Sequence, residues 1–230
     1  MGKGLFITGT DTGVGKTVVA EGLIRAIKAR MSVCPMKPIE SGCRLKKGEL
    51  FPHDAVTLLK ASGAYETLDA VNPYRLHNPL APSVAAEIEG VKIEKKKIIT
   101  AYKRLSGKYK ITIVEGAGGI MVPLYKKYLF LDLAVDLGLP LLIVSRPGLG
   151  TINHTLLTID AARNRGLDVA GIVFNYSEKR RKLLSERTNP EVIEKLGNVP
   201  VLGTIPYIKS PAHRNNRKIF EQITKALHLL

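Results

Sequence analysis

The feature that most constrains this chain is the stretch 9–17, which reads Gly-Thr-Asp-Thr-Gly-Val-Gly-Lys-Thr. It follows a short apolar run at 5–7 and opens a helical pattern that continues to about Arg30. A strand, a glycine-rich loop, a Lys-Thr pair and a helix in this order predict a phosphate-binding loop. Glycines let successive backbone N–H groups converge on an anion, and the positive end of the following helix points at it. We therefore expect a nucleotide-binding protein.

Within this loop, Lys16 is expected to reach the outer phosphates and the Thr17 hydroxyl to bind Mg²⁺. One position departs from the usual G-x-x-x-x-G-K-[ST] pattern. The first glycine of that pattern would fall at Thr10, whereas Gly9 lies one residue earlier. The alternative interpretation is a glycine-rich turn before an amphipathic helix, with Lys16 solvated. The agreement of strand, loop, Lys-Thr pair and helix favours the phosphate-binding loop.

The 230 residues, 45% of them hydrophobic, suffice for one full core. No apolar run approaches the roughly 20 residues of a membrane-spanning helix. The chain passes from Met1 directly into the first predicted strand, so we expect no signal peptide. Cys34 and Cys43, the only cysteines, are too far apart for a C-x-x-C redox or zinc motif. These features predict a soluble protein of the reducing cytoplasm, without a membrane partner.

The formal net charge of +15 raises a second class of function, binding to nucleic acid or to anionic membranes. The basic residues are scattered along the chain, however, and only 179–182 forms a dense run. No aromatic side chains interleave that run as a stacking platform for bases. We therefore interpret the charge as solvated surface, with anionic small molecules and not nucleic acid as the partners.

Apolar strand-like runs alternate with helical patterns along the whole chain, which is typical of parallel βαβ units. After the first helix, strand patterns cover 32–37, 111–114, 141–145, 170–175 and 201–206, and helical patterns cover 55–61, 94–105 and 219–229. Residues 72–82 predict an ordered connection over one end of the sheet, and Ser83 is expected to cap a short helix. We predict one α/β domain over residues 1–230, a P-loop NTPase-like fold with a mostly parallel, doubly wound sheet flanked by helices.

Polar residues at the carboxyl ends of the predicted strands are the candidates for chemistry, because open parallel sheets bind ligands beyond those ends. Glu115 ends an apolar strand, where P-loop enzymes place an acidic residue for Mg²⁺ or for water. The alternative for Glu115 is an acid in a surface turn. Asp54 is either a metal ligand or a helix N-cap, and Lys37 is either catalytic or solvated. Asn175 can read an adenine edge with its amide or belong to a turn.

A second candidate anion site lies at residues 150–153, which read Gly-Thr-Ile-Asn and open another predicted helix. The first N–H groups of a helix have no partners within it, so they can bind an anion. Ordinary helix capping explains the same pattern, and the sequence spacing does not separate these two interpretations.

Five motifs then identify a family. In chain order they are Gly9-Thr10-Asp11-Thr12-x-x-Gly15-Lys16-Thr17, Lys37-Pro38-x-x-Ser41-Gly42, Val71-Asn72-Pro73-Tyr74, Val114-Glu115-Gly116-Ala117-Gly118-Gly119 and Gly150-x-Ile152-Asn153-His154. Together they closely resemble the dethiobiotin synthetase family, the ATP-dependent carboxylase-cyclases of biotin synthesis. The likeness spans about 9–206. In the related ATPases of partitioning and septum placement, a signature lysine would fall at position 11, where this chain has Asp11.

The resemblance implies a role for each matching residue. It implies Mg²⁺ ligands at Thr17, Asp54 and Glu115, and catalytic, phosphate-binding lysines at Lys16 and Lys37. The implied ATP-binding residues are Gly13, Val14, Gly15, Lys16, Thr17, Val18, Asn175, Thr204, Ile205 and Pro206, the last four at the adenine. The implied residues for the diamine and its carbamate are Ser41, Gly116, Ala117, Gly118, Gly150, Thr151, Ile152 and Asn153.

The implied reaction joins CO2 to 7,8-diaminopelargonate, a vicinal diamine, and closes a cyclic urea while ATP becomes ADP and phosphate. Family members are homodimers with shared active sites, in which a helix start of the partner chain meets the diamine's carboxylate; residues 150–153 match that helix start. One alternative is a P-loop ATPase switch acting on DNA or a membrane surface, motivated by the net charge and the run 179–182. The other is a related amidotransferase-type ligase, although the chain has no added glutaminase domain or reactive-cysteine motif.

Overall fold

The computed structural model describes residues 3–179, 183–208 and 217–229. The strands in these ranges are β1 (Lys3–Gly9), β2 (Val33–Met36), β3 (Ile39–Glu40), β4 (Arg44–Lys46), β5 (Glu49–Phe51), β6 (Tyr74–Arg75), β7 (Ile111–Gly119), β8 (Pro123–Tyr125), β9 (Tyr128–Leu129), β10 (Leu141–Ser145), β11 (Val169–Asn175) and β12 (Val201–Ile205). The helices are α1 (Lys16–Lys28), α2 (His53–Ser62), α3 (Leu68–Val71), α4 (Pro82–Ile88), α5 (Lys95–Lys108), α6 (Phe130–Leu137), α7 (Thr151–Arg163), α8 (Leu184–Gly197) and α9 (Arg217–Ala226).

The main sheet has six strands in the order β12-β11-β10-β1-β7-β2, and every neighbouring pair is parallel. This confirms the predicted parallel, doubly wound sheet. Strand β1 lies inside the sheet between β10 and β7, so the loop that follows it emerges in the middle of the carboxyl edge. Chain order reverses around β1, and such a switch point is where open α/β sheets bind their ligands.

Two apolar cores lie on opposite faces of the sheet because side chains alternate along each strand. In β1, Leu5 and Ile7 join one core with α1, α2 and α9, whereas Phe6 joins the other with helices α4 to α8. Both cores are fully covered, which explains why the central strands are continuously apolar. No helix in the described ranges is long and apolar enough to cross a membrane.

One predicted helix boundary was wrong. Helix α4 has Ala81 as its N-cap and Pro82 in its first turn, so Ser83 lies inside the helix and does not cap it. Proline suits the first helical position because its φ angle is already fixed near the helical value and its missing N–H would have had no partner there. Because α4 begins at Pro82, residues 79–82 lie beside a cavity at the carboxyl edge of the sheet.

Candidate active site

A cavity of about 690 Å³ opens at the carboxyl edge of the sheet, beside the end of β1. Its walls come from the loops after β1 and β2, from α2, from the connection before α4 and from the end of β7. The lining residues are Thr12, Gly13, Gly15, Lys16, Thr17, Lys37, Glu40, Ser41, Asp54, Pro79, Leu80, Ala81, Pro82, Glu115, Ala117, Gly118 and Val122. The structure therefore brings most of the predicted phosphate, metal and carbamate residues to one place.

The glycine at position 9, one residue ahead of the usual pattern, makes room for Lys16. A Cβ atom on Gly9 would lie 2.9 Å from Lys16 Nζ and 2.8 Å from the backbone oxygen of Asp11. That oxygen accepts a 3.1 Å hydrogen bond from Lys16 Nζ. The Thr10 hydroxyl points elsewhere and lies 3.1 Å from the hydroxyl of Ser145. A glycine is thus required at position 9, where a side chain would collide with Lys16 and the Asp11 backbone. It is not required at position 10, where the threonine side chain fits.

Lys37 lies between two carboxylates on the floor of the cavity. Its Nζ is 2.5 Å from Glu115 Oε1 and 3.3 Å from Asp54 Oδ2, and it donates a 3.0 Å hydrogen bond to the backbone oxygen of Gly116. Thr17 Oγ1 donates a 2.9 Å hydrogen bond to the same Glu115 Oε1. Lys37 is 3% exposed and Glu115 is 0% exposed. Four side chains from separate segments therefore form one buried, charged cluster.

The charges in this cluster depend on one another. Burial opposes the charge on Lys37, but the carboxylates of Glu115 and Asp54 outweigh it and raise the pKa of Lys37. Burial raises the pKa of Glu115 against the opposing effect of Lys37, and for Asp54 the nearby Lys37 overcomes burial and lowers the pKa. Burial and the positive charge of Lys37 lower the pKa of Lys16 to about 8. A polyanion between the two lysines would stabilise both in their charged form.

The cluster fits a hard divalent cation. Glu115 Oε2 is buried and has no hydrogen-bond partner among the described residues, so one carboxylate oxygen is available as a ligand. Thr17 and Asp54 add a hydroxyl and a carboxylate, and such oxygen atoms are the ligands that Mg²⁺ prefers. No group of three or more His, Cys, Asp or Glu side chains in the described ranges could hold a metal by itself. Mg²⁺ is usually bound by one or two carboxylates together with waters and substrate phosphates.

Glu40 is a site residue to which the sequence analysis assigned no role. Its two carboxylate oxygens accept 2.9 Å hydrogen bonds from the backbone N–H groups of Asp54 and Ala55, in the first turn of α2. The N-cap residue of α2 is Pro52, so the capping interpretation of Asp54 was wrong. Glu40 supplies the acceptor that a capping side chain would normally provide, and it thereby holds Asp54 at the cavity. The only signal in the sequence was an acid three residues after Lys37.

The predicted adenine residues lie beside the phosphate loop, outside the lining of this cavity. Asn175 is 2% exposed, and its Nδ2 donates a 3.0 Å hydrogen bond to the backbone oxygen of Val14. A Cβ atom on Gly15 would lie 2.1 Å from that nitrogen, and the φ of Gly15 is +93°, so only glycine fits there. Asn175 Oδ1 is buried without a partner in the described chain. Ile205, the middle residue of 204–206, pairs with Asn175 across β11 and β12.

The start of α7 does not join the cavity of its own chain. None of residues 150–153 is among the lining residues. Gly150 has a φ of +85° and precedes the helix, Thr151 is buried with its hydroxyl 2.8 Å from that of Ser145, and Asn153 is exposed. Of the other predicted residues, Val18 lies half-buried in the first turn of α1.

Comparisons with known proteins agree with this architecture. A family model described as an AAA domain matches residues 3–213. The ATP-dependent dethiobiotin synthetase BioD of Thermodesulfovibrio yellowstonii is 44% identical over 98% of this chain and 96% of its own length. The protein of the same name from Anaeromyxobacter dehalogenans is 49% identical over 75% of this chain and 76% of its own length.

A solved structure shows the same fold at much lower identity. The cell division ATPase MinD of Pyrococcus furiosus superimposes with a TM-score of 0.57 at 18% identity, covering 99% of both chains. That likeness shows a shared P-loop NTPase fold. The identity of the synthetases is far higher, and residues from three of the five sequence motifs, 9–17, 37–42 and 114–119, line one cavity. The chain belongs to the ATP-dependent dethiobiotin synthetase family.

Proposed function

We propose that this enzyme carboxylates 7,8-diaminopelargonate with CO2 and closes the ring to dethiobiotin, with Mg²⁺ as cofactor and ATP converted to ADP and phosphate. The observation that carries the proposal is the buried ammonium of Lys37, held by Glu115 and Asp54 beside a phosphate-binding loop. The relatives named above are synthetases of this kind. We further infer a cytoplasmic protein whose partners are small molecules.

The chemistry proceeds in three steps. One amine of the substrate adds to CO2 and loses a proton, which gives a carbamate. A carbamate oxygen then takes the γ-phosphoryl group of ATP, and ADP leaves. The second amine attacks the activated carbon, phosphate departs with that oxygen, and loss of a proton leaves the cyclic urea. Phosphorylation is needed because the carbamate carbon is the carbon of an anionic carboxylate group, which makes it a poor electrophile.

Positive charge and positioning supply the catalysis in such a reaction. Lys16 binds the outer phosphates, and Lys37 stabilises the charge on the transferring phosphoryl group. The backbone of 116–118 and the hydroxyl of Ser41 hold the carbamate. Thr17, Asp54 and Glu115 hold Mg²⁺, which when bound neutralises charge on the phosphate oxygens. No side-chain nucleophile is required.

Asn175 is proposed to bind the adenine. Its amide nitrogen is already used by the Val14 carbonyl, so the unpaired Oδ1 is the atom available to a base. An amide oxygen accepts hydrogen bonds, and the exocyclic amino group of adenine is a donor. The backbone of 204–206, which covers the end of the adjacent strand β12 and the residue after it, would complete the contact with the base.

We infer a homodimer in which α7 of one subunit completes the site of the other. The support is an apolar surface next to the start of α7. Met121, Leu149 and Leu157 are 57%, 76% and 60% exposed, and Met121 and Leu157 line a cleft of about 310 Å³ together with Asp11 of the phosphate loop. Exposed apolar residues that share one cleft, as Met121 and Leu157 do, are typical of an interaction surface. In such a dimer, residues 150–153 would bind the diamine's carboxylate with backbone N–H groups other than that of Thr151, which already donates a 3.2 Å hydrogen bond to the Gly148 oxygen.

The rival ATPase switch is motivated by the net charge of +15 and the basic run 179–182. Residues 180–182 lie outside the described residues, so the structure adds no support for a nucleic-acid or membrane surface there. The rival remains an outcome of the assay that follows.

The first prediction is that purified protein releases ADP only when the diamine, CO2 or bicarbonate, ATP and Mg²⁺ are all present. Without the diamine no carbamate forms, so the γ-phosphoryl group has no acceptor. ADP release is measured with each component omitted in turn, and separately with DNA or anionic vesicles in place of the diamine. Stimulation by DNA or vesicles, with no response to the diamine, would establish the switch and reject the synthetase.

The second prediction separates the two lysines. Lys16→Ala should weaken ATP binding and abolish turnover. Lys37→Ala should keep much of the ATP affinity but lower kcat by about 100- to 1,000-fold, the usual effect of removing one preorganised stabiliser of the transition state. ATP binding by calorimetry and single-turnover ADP formation measure the two effects. Normal turnover by Lys37→Ala would show that this lysine is not catalytic.

The third prediction concerns the shared site. Lys37→Ala and Asn153→Glu dimers, each inactive, are mixed, dissociated and reassembled. A mixed dimer then pairs one intact Lys37 with one intact helix start. Random pairing should restore about a quarter of the wild-type sites, because half the dimers are mixed and each has one good site of two. If subunits exchange but activity does not return, each chain builds its site alone.

A further inference from the structure

The motif at 71–74, which helped to identify the family, has no role in the mechanism above. Its asparagine, Asn72, is only 1% exposed and does not line the cavity. The Asn72 side-chain nitrogen donates hydrogen bonds to the backbone oxygens of Lys37 at 2.7 Å and Tyr74 at 3.2 Å. The backbone N–H of Lys37 in turn donates a 2.8 Å hydrogen bond to the Val71 oxygen. Both backbone polar groups of Lys37 are therefore bound by residues 71 and 72.

This arrangement lies where the chain changes its strand partner. Strand β2 pairs with β7 as far as Met36, and β3 pairs with β6 from Ile39 onward. Pro38, between them, has no N–H and cannot continue a strand ladder. The side-chain amide of Asn72 supplies the donor that a neighbouring strand would otherwise give to the Lys37 carbonyl. At this break in the sheet, the Lys37 carbonyl is thus held by one side chain, that of Asn72, and the Lys37 N–H by the Val71 backbone oxygen.

The orientation of the Asn72 amide is itself fixed. Its Oδ1 accepts a 3.3 Å hydrogen bond from Arg75 Nε, and Arg75 also forms a 2.6 Å ion pair with the exposed Asp69. Because Nδ2 faces two carbonyl oxygens and Oδ1 faces a donor, the flipped amide would lose all three hydrogen bonds. Asn72 has no second arrangement in which these groups are satisfied.

We propose that Asn72 is a positioning residue for Lys37. By holding the Lys37 backbone, it keeps Nζ beside Glu115 Oε1 and in place for the transferring phosphoryl group. The proposal rests on the function given to Lys37 above. The competing explanation is that Asn72 only stabilises the connection between β2 and β6, in which case its loss would act on stability and not through Lys37.

A double-mutant cycle separates these explanations. Asn72→Ala should lower kcat by about 10- to 100-fold, because small misplacements of a catalytic group have effects of this size, while ATP affinity stays close to that of the wild type. In the Lys37→Ala background the same substitution should have almost no further effect on kcat, because the group it positions is gone. An equal loss of kcat in both backgrounds would overturn the proposal.

Asn189→Ala is the matched control. Asn189 is also a buried asparagine, 5% exposed, and its amide nitrogen binds the backbone oxygens of Pro147 at 3.0 Å and Gly148 at 3.3 Å. Asn189→Ala should lower the free energy of unfolding, measured by urea denaturation, by about as much as Asn72→Ala does. Any change in kcat that it causes should be the same with and without Lys37. A dependence on Lys37 equal to that of Asn72→Ala would mean that the cycle reports general destabilisation, and the proposal would fall.

A milder variant and a second readout complete the test. If Asn72→Ala does not fold, Arg75→Ala removes the donor that orients the amide, and it should cause a smaller kcat loss that again disappears in the Lys37→Ala background. A crystal structure of whichever variant folds should show Lys37 Nζ displaced from Glu115. An unmoved lysine would overturn the proposal. Absence of diamine-dependent turnover in the wild type would instead reject the proposed function, while the position of Lys37 in the variant would still decide the role of Asn72.

Discussion

The site depends on keeping one buried ammonium charged. An unpaired ion in a protein interior costs several kcal/mol, and Lys37 is 3% exposed. Lys37 stays charged because Glu115, on β7, and Asp54, in α2, both lie beside its Nζ. Glu40 holds the first turn of α2, and with it Asp54, in place. The sheet order makes this possible, since β2, β7 and β1 are neighbours and their carboxyl ends meet at one edge.

Glu115 serves two purposes in this arrangement. Its Oε1 accepts hydrogen bonds from Lys37 and Thr17, and its Oε2, which has no hydrogen-bond partner in the described part of the chain, is available to a cation. Removing the carboxylate would therefore leave Lys37 without its closest partner and would also remove a ligand of the proposed Mg²⁺ site. Because of this coupling, the proposed roles of Lys16 and Lys37 are better tested by substituting the lysines themselves, where one charge is lost at a time. Asn72 offers a second test, because it touches neither the proposed cation ligands nor the substrate cavity.

The fold and the phosphate loop could be predicted because strand–helix alternation and the Gly-Lys-Thr pattern are local. The roles of Lys37, Asp54 and Glu115 could not be assigned from spacing alone. In sequence, a catalytic lysine cannot be told from a solvated one, nor a metal-binding acid from an N-cap or a turn residue. What distinguishes them is that they meet in the folded chain, and only the family resemblance indicated this in advance. Glu40 was missed because it caps a helix that begins 13 residues later. The β4–β5 hairpin was missed because its turn places Lys47, with a φ of +53°, where such turns usually have Asn, Asp or Gly.

The central claim is that the γ-phosphoryl group passes to a carbamate oxygen and not to water. It is tested by starting the reaction with ¹⁸O-labelled CO2 in unlabelled water and quenching it before the CO2 exchanges its oxygens. The released phosphate is then examined by ³¹P NMR. Transfer to the carbamate places one ¹⁸O atom in each phosphate formed together with dethiobiotin. Phosphate that carries only unlabelled oxygen would contradict it, because the group would then have been transferred to water.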